Sequence, residues 1–325
     1  MKKRNQAKTI IYYSVILILV FLMLFSGLQI LESTVFHTGQ QQDGTIASQT
    51  IVVDGVEYYP KQDITVVMVL GIDQYGPVQD SGSYNNKGAS DMVALLIFDE
   101  THKVCDMLYL NRDTMMDIPV LGLGGKDAGT IYAQLALAHT YGSGLDDSCL
   151  NVKKAIENFL HGVTIDYYVS MNMDAIATLN DAVGGVTVVV EDDFSMIDPT
   201  ITMGEMTLSG QQAITFVRTR KGVGDQMNLT RIERQKQYMT NFLSALRAQD
   251  DLQHLLNTYE AVSPYMVTNC SLSTMQDFLE RYADYPLNRI LTPEGENTLG
   301  EQYIEFYVDE EKLEDLVIQL FYARK

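Results

Sequence analysis

Nine positions in a row, Ile64–Ile72 (ITVVMVLGI), hold no charge, the pattern of a strand buried on both faces. The runs 92–98 and Val104–Leu110 predict two more strands, and the five residues between them are short enough for an antiparallel hairpin. A second hairpin is predicted at 51–53 and 56–59, which flank a D-G pair. Further strands are expected at 166–171, 186–190, 214–219 and 303–308. Helical spacing predicts helices over 130–141, 149–161, 173–182 and 230–248, a helical turn at 208–213, and a last helix from Glu310; Gly142 and Gly162 supply two of the stops. Strands and helices interleave without a repeat, so one α/β domain is expected over 51–325.

The apolar pattern is different before residue 32. TIIYYSVILILVFLMLFSGLQIL, residues 9–31, has no charged side chain and as a helix is long enough for a hydrocarbon layer of ~30 Å. It exceeds the apolar region of a cleaved signal peptide and no A-x-A follows it, which predicts a retained anchor. Lys2, Lys3, Arg4 and Lys8 precede it, while Glu32, Asp43 and Asp54 follow. The positive-inside rule therefore predicts a cytoplasmic tail at 1–8, a transmembrane anchor at 9–31, a polar stalk at 32–50 and an extracellular domain held at the cell membrane by one span.

Charge narrows the partners. The 325 residues carry 23 Lys and Arg against 42 Asp and Glu, a net of -19, a surface that repels nucleic acid. Cys105, Cys149 and Cys270 are too few and too spread for a disulfide framework or a zinc site, and the five histidines are scattered. GLGGKD at 122–127 lacks the phosphate-loop spacing, and GSG at 142–144 is no nucleophile elbow.

Two constellations remain. A hairpin turning near Thr101 sets position 91 opposite about 111, so Asp91 and Asp113 emerge at one open end. Two carboxylates there call for a cation or a shared proton, and oxygen-only ligation suits Mg²⁺ or Mn²⁺; the alternative is that each merely caps a strand or turn. The second is FVRTRKGVGDQMNLTRIERQ at 216–235, which gathers Arg218, Arg220, Arg231 and Arg234 in a chain with ten arginines. On the predicted strand, Arg218 and Arg220 share a face; on the predicted helix, Arg231, Arg234 and Gln235 share another. Planar guanidinium forks beside a helix start suit phosphate oxygens, although a solvated face paired with Asp225 and Glu233 fits the same pattern.

The succession VVMVLGID, SDMVALLIFDETHKVCDMLYLNRDT, HTYG, GVTIDYYVSMNMDAIATLNDAVGGVTV, LSGQQAITFVRTRKG and RIERQ resembles the LytR-CpsA-Psr family of cell-wall phosphotransferases over about 64–248. The resemblance implies a mixed central β-sheet flanked by helices and an enzyme that, with Mg²⁺, transfers a glycan phosphate from a polyprenyl-pyrophosphate-linked glycan to peptidoglycan. It implies Asp91 and Asp113 as metal ligands, Arg112 and Arg220 beside them as catalytic residues, and Arg218, Arg220, Arg231, Arg234 and Gln235 on the pyrophosphate. A hydrophobic tunnel for the lipid tail, to which 131–138 and 186–190 would contribute, is also implied. Three positions depart from the family pattern: Ala89 replaces an arginine, Gln134 a basic residue and Asn111 a proline. A hydrolase of the same carrier and a non-catalytic glycan-binding protein stay open as alternatives.

Overall fold

The computed structural model describes residues 50–53, 55–219, 222–223, 234, 237–238, 241–242, 244–245, 252–282, 285–300 and 303–324. The expected tail, anchor and nearly all of the stalk lie outside these residues; among the described ones no helix is long and apolar enough to cross a membrane. In chain order the elements are β1 (Ile51–Val53), β2 (Val56–Pro60), β3 (Ile64–Ile72), β4 (Ser90–Asp99), β5 (Val104–Leu110), β6 (Met115–Leu121), β7 (Asp127–Gln134), a 3₁₀ segment (Leu135–Tyr141), α1 (Asp146–Phe159), β8 (Tyr167–Asn172), α2 (Met173–Ala182), β9 (Val186–Val190), β10 (Gly204–Leu208), α3 (Gly210–Arg218), α4 (Leu252–Val262), β11 (Met266–Thr268), α5 (Leu272–Tyr282), β12 (Leu287–Leu291), β13 (Gly295–Leu299), β14 (Ile304–Val308), α6 (Glu310–Phe321) and β15 (Tyr322–Arg324).

The central sheet has the order β11-β8-β3-β4-β5-β12. It is mixed: β4 and β5 run antiparallel, whereas β12 joins β5 in parallel. Every residue of β4 is buried, as a strand covered on both faces requires. Cys105, Cys149 and Cys270 are all buried, and none of them forms a disulfide.

By compactness the described residues divide into two units, those within 70–78 and 169–282, and those within 50–69, 79–168 and 285–324. In the second unit, α1 packs on β6 and on the 3₁₀ segment, and α6 leads into β15, which pairs with β2. In the first, α2 packs against α3 and α4. The approach of α2 to α3 is close enough that a Cβ on Gly210 would meet the Ala177 carbonyl oxygen at 2.7 Å.

The predicted β1-β2 and β4-β5 hairpins form, and β3, β5, α2 and β9 occupy their predicted spans. Two predicted elements are replaced. The strand expected at 214–219 is instead α3, because Ser209 donates its N–H to Gln212 Oε1 at 2.9 Å and Ala213, Ile214, Phe216 and Val217 then share one buried face at helical spacing. The helix expected at 130–141 is split. Thr130, Ile131 and Tyr132 pair with β6, and Leu135, Ala136 and Ala138 bury in the tighter 3₁₀ turns. The 131–138 helix expected to line a lipid tunnel therefore does not form. Of the 230–248 helix, the described residues 234, 237–238, 241–242 and 244–245 are helical.

Asn180, fully buried near the end of α2, ties the first unit together. Its Nδ2 donates to the Leu208 carbonyl at 2.8 Å, and its Oδ1 accepts from Val186 N at 3.2 Å and from the Tyr238 hydroxyl at 2.9 Å. Asn180→Ala strands one buried acceptor and two buried donors, so a loss of about 2–4 kcal/mol is expected. Urea unfolding measures it; a loss under about 1 kcal/mol would show that the network contributes little.

Candidate functional site

The β4-β5 register runs from Asp99 opposite Val104 to Val93 opposite Leu110. Continued by two residues it sets Asp91 against Arg112, and the Arg112 Nη1 donates to Asp91 Oδ1. The same guanidinium has its Nε 3.5 Å from Asp113 Oδ1. The two predicted carboxylates do converge, with an arginine between them. They differ in access, since the Asp91 side chain is 1% exposed and that of Asp113 is 29% exposed. Burial of Asp91 is tolerable because a charge-assisted partner lies beside it.

Backbone bonds fix the loop after β5. Asn111 Oδ1 accepts from Asp113 N at 3.0 Å, and the Asn111 carbonyl accepts from Thr114 N at 3.0 Å and Thr114 Oγ1 at 2.7 Å. A proline at 111 would offer no side-chain acceptor for that turn. Arg112 O accepts from Ala136 N at 2.9 Å, and Asp113 O from Phe306 N at 2.8 Å. Gln134, at the end of β7, donates Nε2 to Asp113 Oδ1 at 3.1 Å and to the Ile304 carbonyl at 2.7 Å. The residue that departs from the family's basic pattern thus touches the accessible carboxylate with a neutral amide.

The approach to Asp91 from the N-terminal side depends on His139, which sequence reasoning passed over as one of five scattered histidines. Its Nδ1 lies 2.7 Å from the Gly88 carbonyl, which can only accept, so Nδ1 carries the proton. Its own carbonyl accepts from Asn86 Nδ2 at 2.7 Å. Burial lowers the His139 pKa to about 4, against the 6.5 of a free imidazole, so the ring is neutral. The signal was present in the A-H-x-Y-G segment, whose histidine packs under the loop leading into Ser90 and Asp91.

The predicted arginines are placed separately. In the first unit, Arg218 ends α3, where a cation suits the helix C-terminus. Its Nη2 is 2.5 Å from Asp73 Oδ1, its Nη1 donates to the Tyr75 hydroxyl, and its guanidinium lies 5.5 Å from the Tyr75 ring centre. Arg234 is buried: Nη1 is 2.5 Å from Asp192 Oδ2, Nε donates to the Phe216 carbonyl at 3.1 Å, and Nη2 donates to the Thr219 carbonyl. Its guanidinium also lies 5.3 Å from the Phe194 ring centre. That makes Arg234 a positioning residue that holds the end of α3. Arg220, Arg231 and Gln235 lie outside the described residues.

Among the described residues no group of three or more His, Cys, Asp or Glu is placed to hold a metal ion. Asp91 and Asp113 supply two carboxylates and no nitrogen or sulfur, a donor set that fits Mg²⁺, which takes one or two carboxylates and completes its shell with phosphate oxygens and water.

Comparison with known proteins agrees with this frame. The LytR_cpsA_psr family profile matches residues 30–321. The chain belongs to the LytR_cpsA_psr family. It is 27% identical over 266 residues, 81% of this chain and 80% of the relative, to the polyisoprenyl-teichoic acid–peptidoglycan teichoic acid transferase TagU of Bacillus anthracis. Among solved structures, B. subtilis TagV superposes with a TM-score of 0.59 at 24% identity, covering 80% of this chain and 96% of that one. TagT bound to LI-WTA gives a TM-score of 0.55 at 23% identity, covering 85% and 96%. These likenesses establish that the LytR_cpsA_psr chain shares their α/β fold.

Two measurements test the supports of this site. Between pH 6.5 and about 4 the unfolded chain binds a proton at residue 139 that the folded chain refuses, so stability falls as pH drops through that window, by about 3 kcal/mol in total. His139→Gln removes that part of the slope in urea unfolding against pH; an unchanged slope would exclude the assignment. Arg234→Lys retains the charge but loses the fork geometry that reaches Asp192 and two carbonyls, which is expected to cost about 2 kcal/mol in thermal unfolding.

Proposed function

We propose that this LytR_cpsA_psr protein is a phosphotransferase that moves a glycan phosphate from a polyprenyl-pyrophosphate carrier to peptidoglycan, at the outer face of the membrane. The observation that carries the reading is the convergence of Asp91, Arg112 and Asp113 at the open end of the β4-β5 hairpin, within the S-D-M and N-R-D-T stretches that carry the sequence resemblance. The relative that names a reaction, TagU, is a polyisoprenyl-teichoic acid–peptidoglycan transferase.

In this reading an acceptor hydroxyl oxygen attacks the phosphorus that bears the glycan. The new P–O bond replaces the bond to the bridging pyrophosphate oxygen, and polyprenyl phosphate departs with the electron pair. A Mg²⁺ held by Asp91 and Asp113 would neutralise negative charge on the phosphate oxygens. Arg112 keeps the two carboxylates together and adds positive charge beside them. Asp113, the more accessible of the two carboxylates, is the one open to the acceptor proton, because Asp91 is enclosed against Arg112. Arg218, Arg220, Arg231 and Gln235 enter the reading through their motif positions as pyrophosphate contacts, and Arg234 as the support of α3. The neutral Gln134 on Asp113 favours a second reading, a glycan-binding protein without turnover, because it leaves that carboxylate with less positive charge than the family pattern supplies.

The full chain is to be incubated with a polyprenyl-pyrophosphate oligosaccharide, Mg²⁺ and peptidoglycan. Labelled glycan on peptidoglycan is expected, falling more than tenfold in Asp91→Ala and Asp113→Ala and on chelation of the metal. Release of glycan to water would instead identify a hydrolase, and binding without turnover the non-catalytic alternative.

A further inference from the structure

Two strands of the second unit that bond to Asp113, β7 and β14, also carry exposed aromatic rings. On β7, Tyr132 is 59% exposed, and on β14, Tyr307, which projects to the same face as Glu305, is 40% exposed. A lone exposed aromatic needs no explanation, but these sit on strands joined directly to the reacting centre. Gln134, two residues beyond Tyr132, bridges Asp113 to the Ile304 carbonyl, and Phe306, beside Tyr307, donates its N–H to the Asp113 carbonyl. A molecule lying on these tyrosines therefore ends within reach of the accessible carboxylate.

The chemistry of the patch selects its occupant. The Tyr307 hydroxyl donates to Glu305 Oε2 at 2.7 Å. Burial and the charges of Glu310, Asp117 and Glu305 raise the Tyr132 pKa, and Glu305 raises that of Tyr307, so both rings lie in a field of carboxylates. That field opposes an anionic ligand and favours a neutral one over a phosphate-bearing polymer or an anionic lipid surface. Exposed aromatic faces stack on the apolar C–H faces of pyranose rings, and carboxylates beside them accept sugar hydroxyls. A neutral ligand with flat apolar faces and many hydroxyls is a saccharide strand.

We propose that the Tyr132–Tyr307 face of β7 and β14 is the subsite for the acceptor, binding the neutral amino-sugar strand of peptidoglycan and presenting one of its hydroxyls beside Asp113. The inference rests on the phosphotransferase reading for its chemistry and adds the location of the acceptor. Both tyrosines are solvent-facing, and the side chains that hold Asp91 and Asp113 in place are Arg112 and Gln134, which the tyrosine variants keep.

The test titrates the full chain in detergent with a β-1,4 N-acetylglucosamine tetrasaccharide by calorimetry, and in parallel follows donor consumption with and without peptidoglycan. Tyr132→Ala and Tyr307→Ala are each expected to weaken tetrasaccharide binding and raise the acceptor KM at least tenfold, with metal-dependent donor binding unchanged. Tyr132→Phe and Tyr307→Phe keep the rings and should stay within about threefold of the parent. Equal affinity in the parent and both alanine variants, or no tetrasaccharide binding by the parent, would overturn the subsite, as would competition by a polyol-phosphate oligomer or anionic vesicles for these tyrosines. A parent that binds the tetrasaccharide through the tyrosines but consumes no donor would sink the transferase reading and leave the saccharide platform standing, so the two failures are distinguishable.

Discussion

Two carboxylates brought to one end of a hairpin repel each other unless something positive stands between them, and in this chain the guanidinium of Arg112 does so. Much of the second unit answers to that requirement. Asp91 is the second residue of a strand whose every residue is buried, so its charge is tolerated only with a partner held in place. Arg112 is held by a loop whose carbonyls and side chains bond to the 3₁₀ segment, to Thr114 and to β14. His139 secures the loop on the other side of Asp91. The arrangement leaves one carboxylate enclosed and the other open, which divides the pair into a fixed member and a member that can meet a ligand.

The first unit handles its arginines by the same rule with a different result. Arg234 is enclosed by Asp192, two carbonyls and two aromatic rings, so its charge stabilises the fold around the end of α3. Arg218 keeps one carboxylate and a tyrosine and stays partly open. Four arginines in one stretch of sequence therefore need not serve one purpose. Spacing alone cannot separate an arginine that braces a helix from one that faces solvent, because the distinction lies in which carbonyls come near.

The long apolar runs were legible because burial on both faces leaves no room for an alternative pattern, as in β3 and β5. The convergence of Asp91 and Asp113 was legible because hairpin register is arithmetic. What failed was local: ITFVRT carries β-branched residues that favour a strand, but the S-G-Q-Q start and the docking of Gly210 against α2 decide for a helix. At 130–141 the alternation of TIYAQ was hidden by the LALA run behind it. His139 was illegible as a support because its partner is a main-chain carbonyl fifty-one residues away in sequence, and carbonyls leave no mark on the residue they belong to.

The three cysteines have a consequence for resistance to oxidation. Burial pushes the Cys105 thiol up to about 12 and raises Cys270 as well, so neither forms a thiolate at neutral pH, and Cys149 is equally enclosed. Thiolate is the form that oxidants attack. With no disulfide among them, the three thiols are shielded here by packing in place of cross-links, and their oxidative lifetime is set by how often the chain opens. In any oxidising medium, survival then becomes a race between folding and damage, one that a fast-closing core wins without any help from disulfide chemistry.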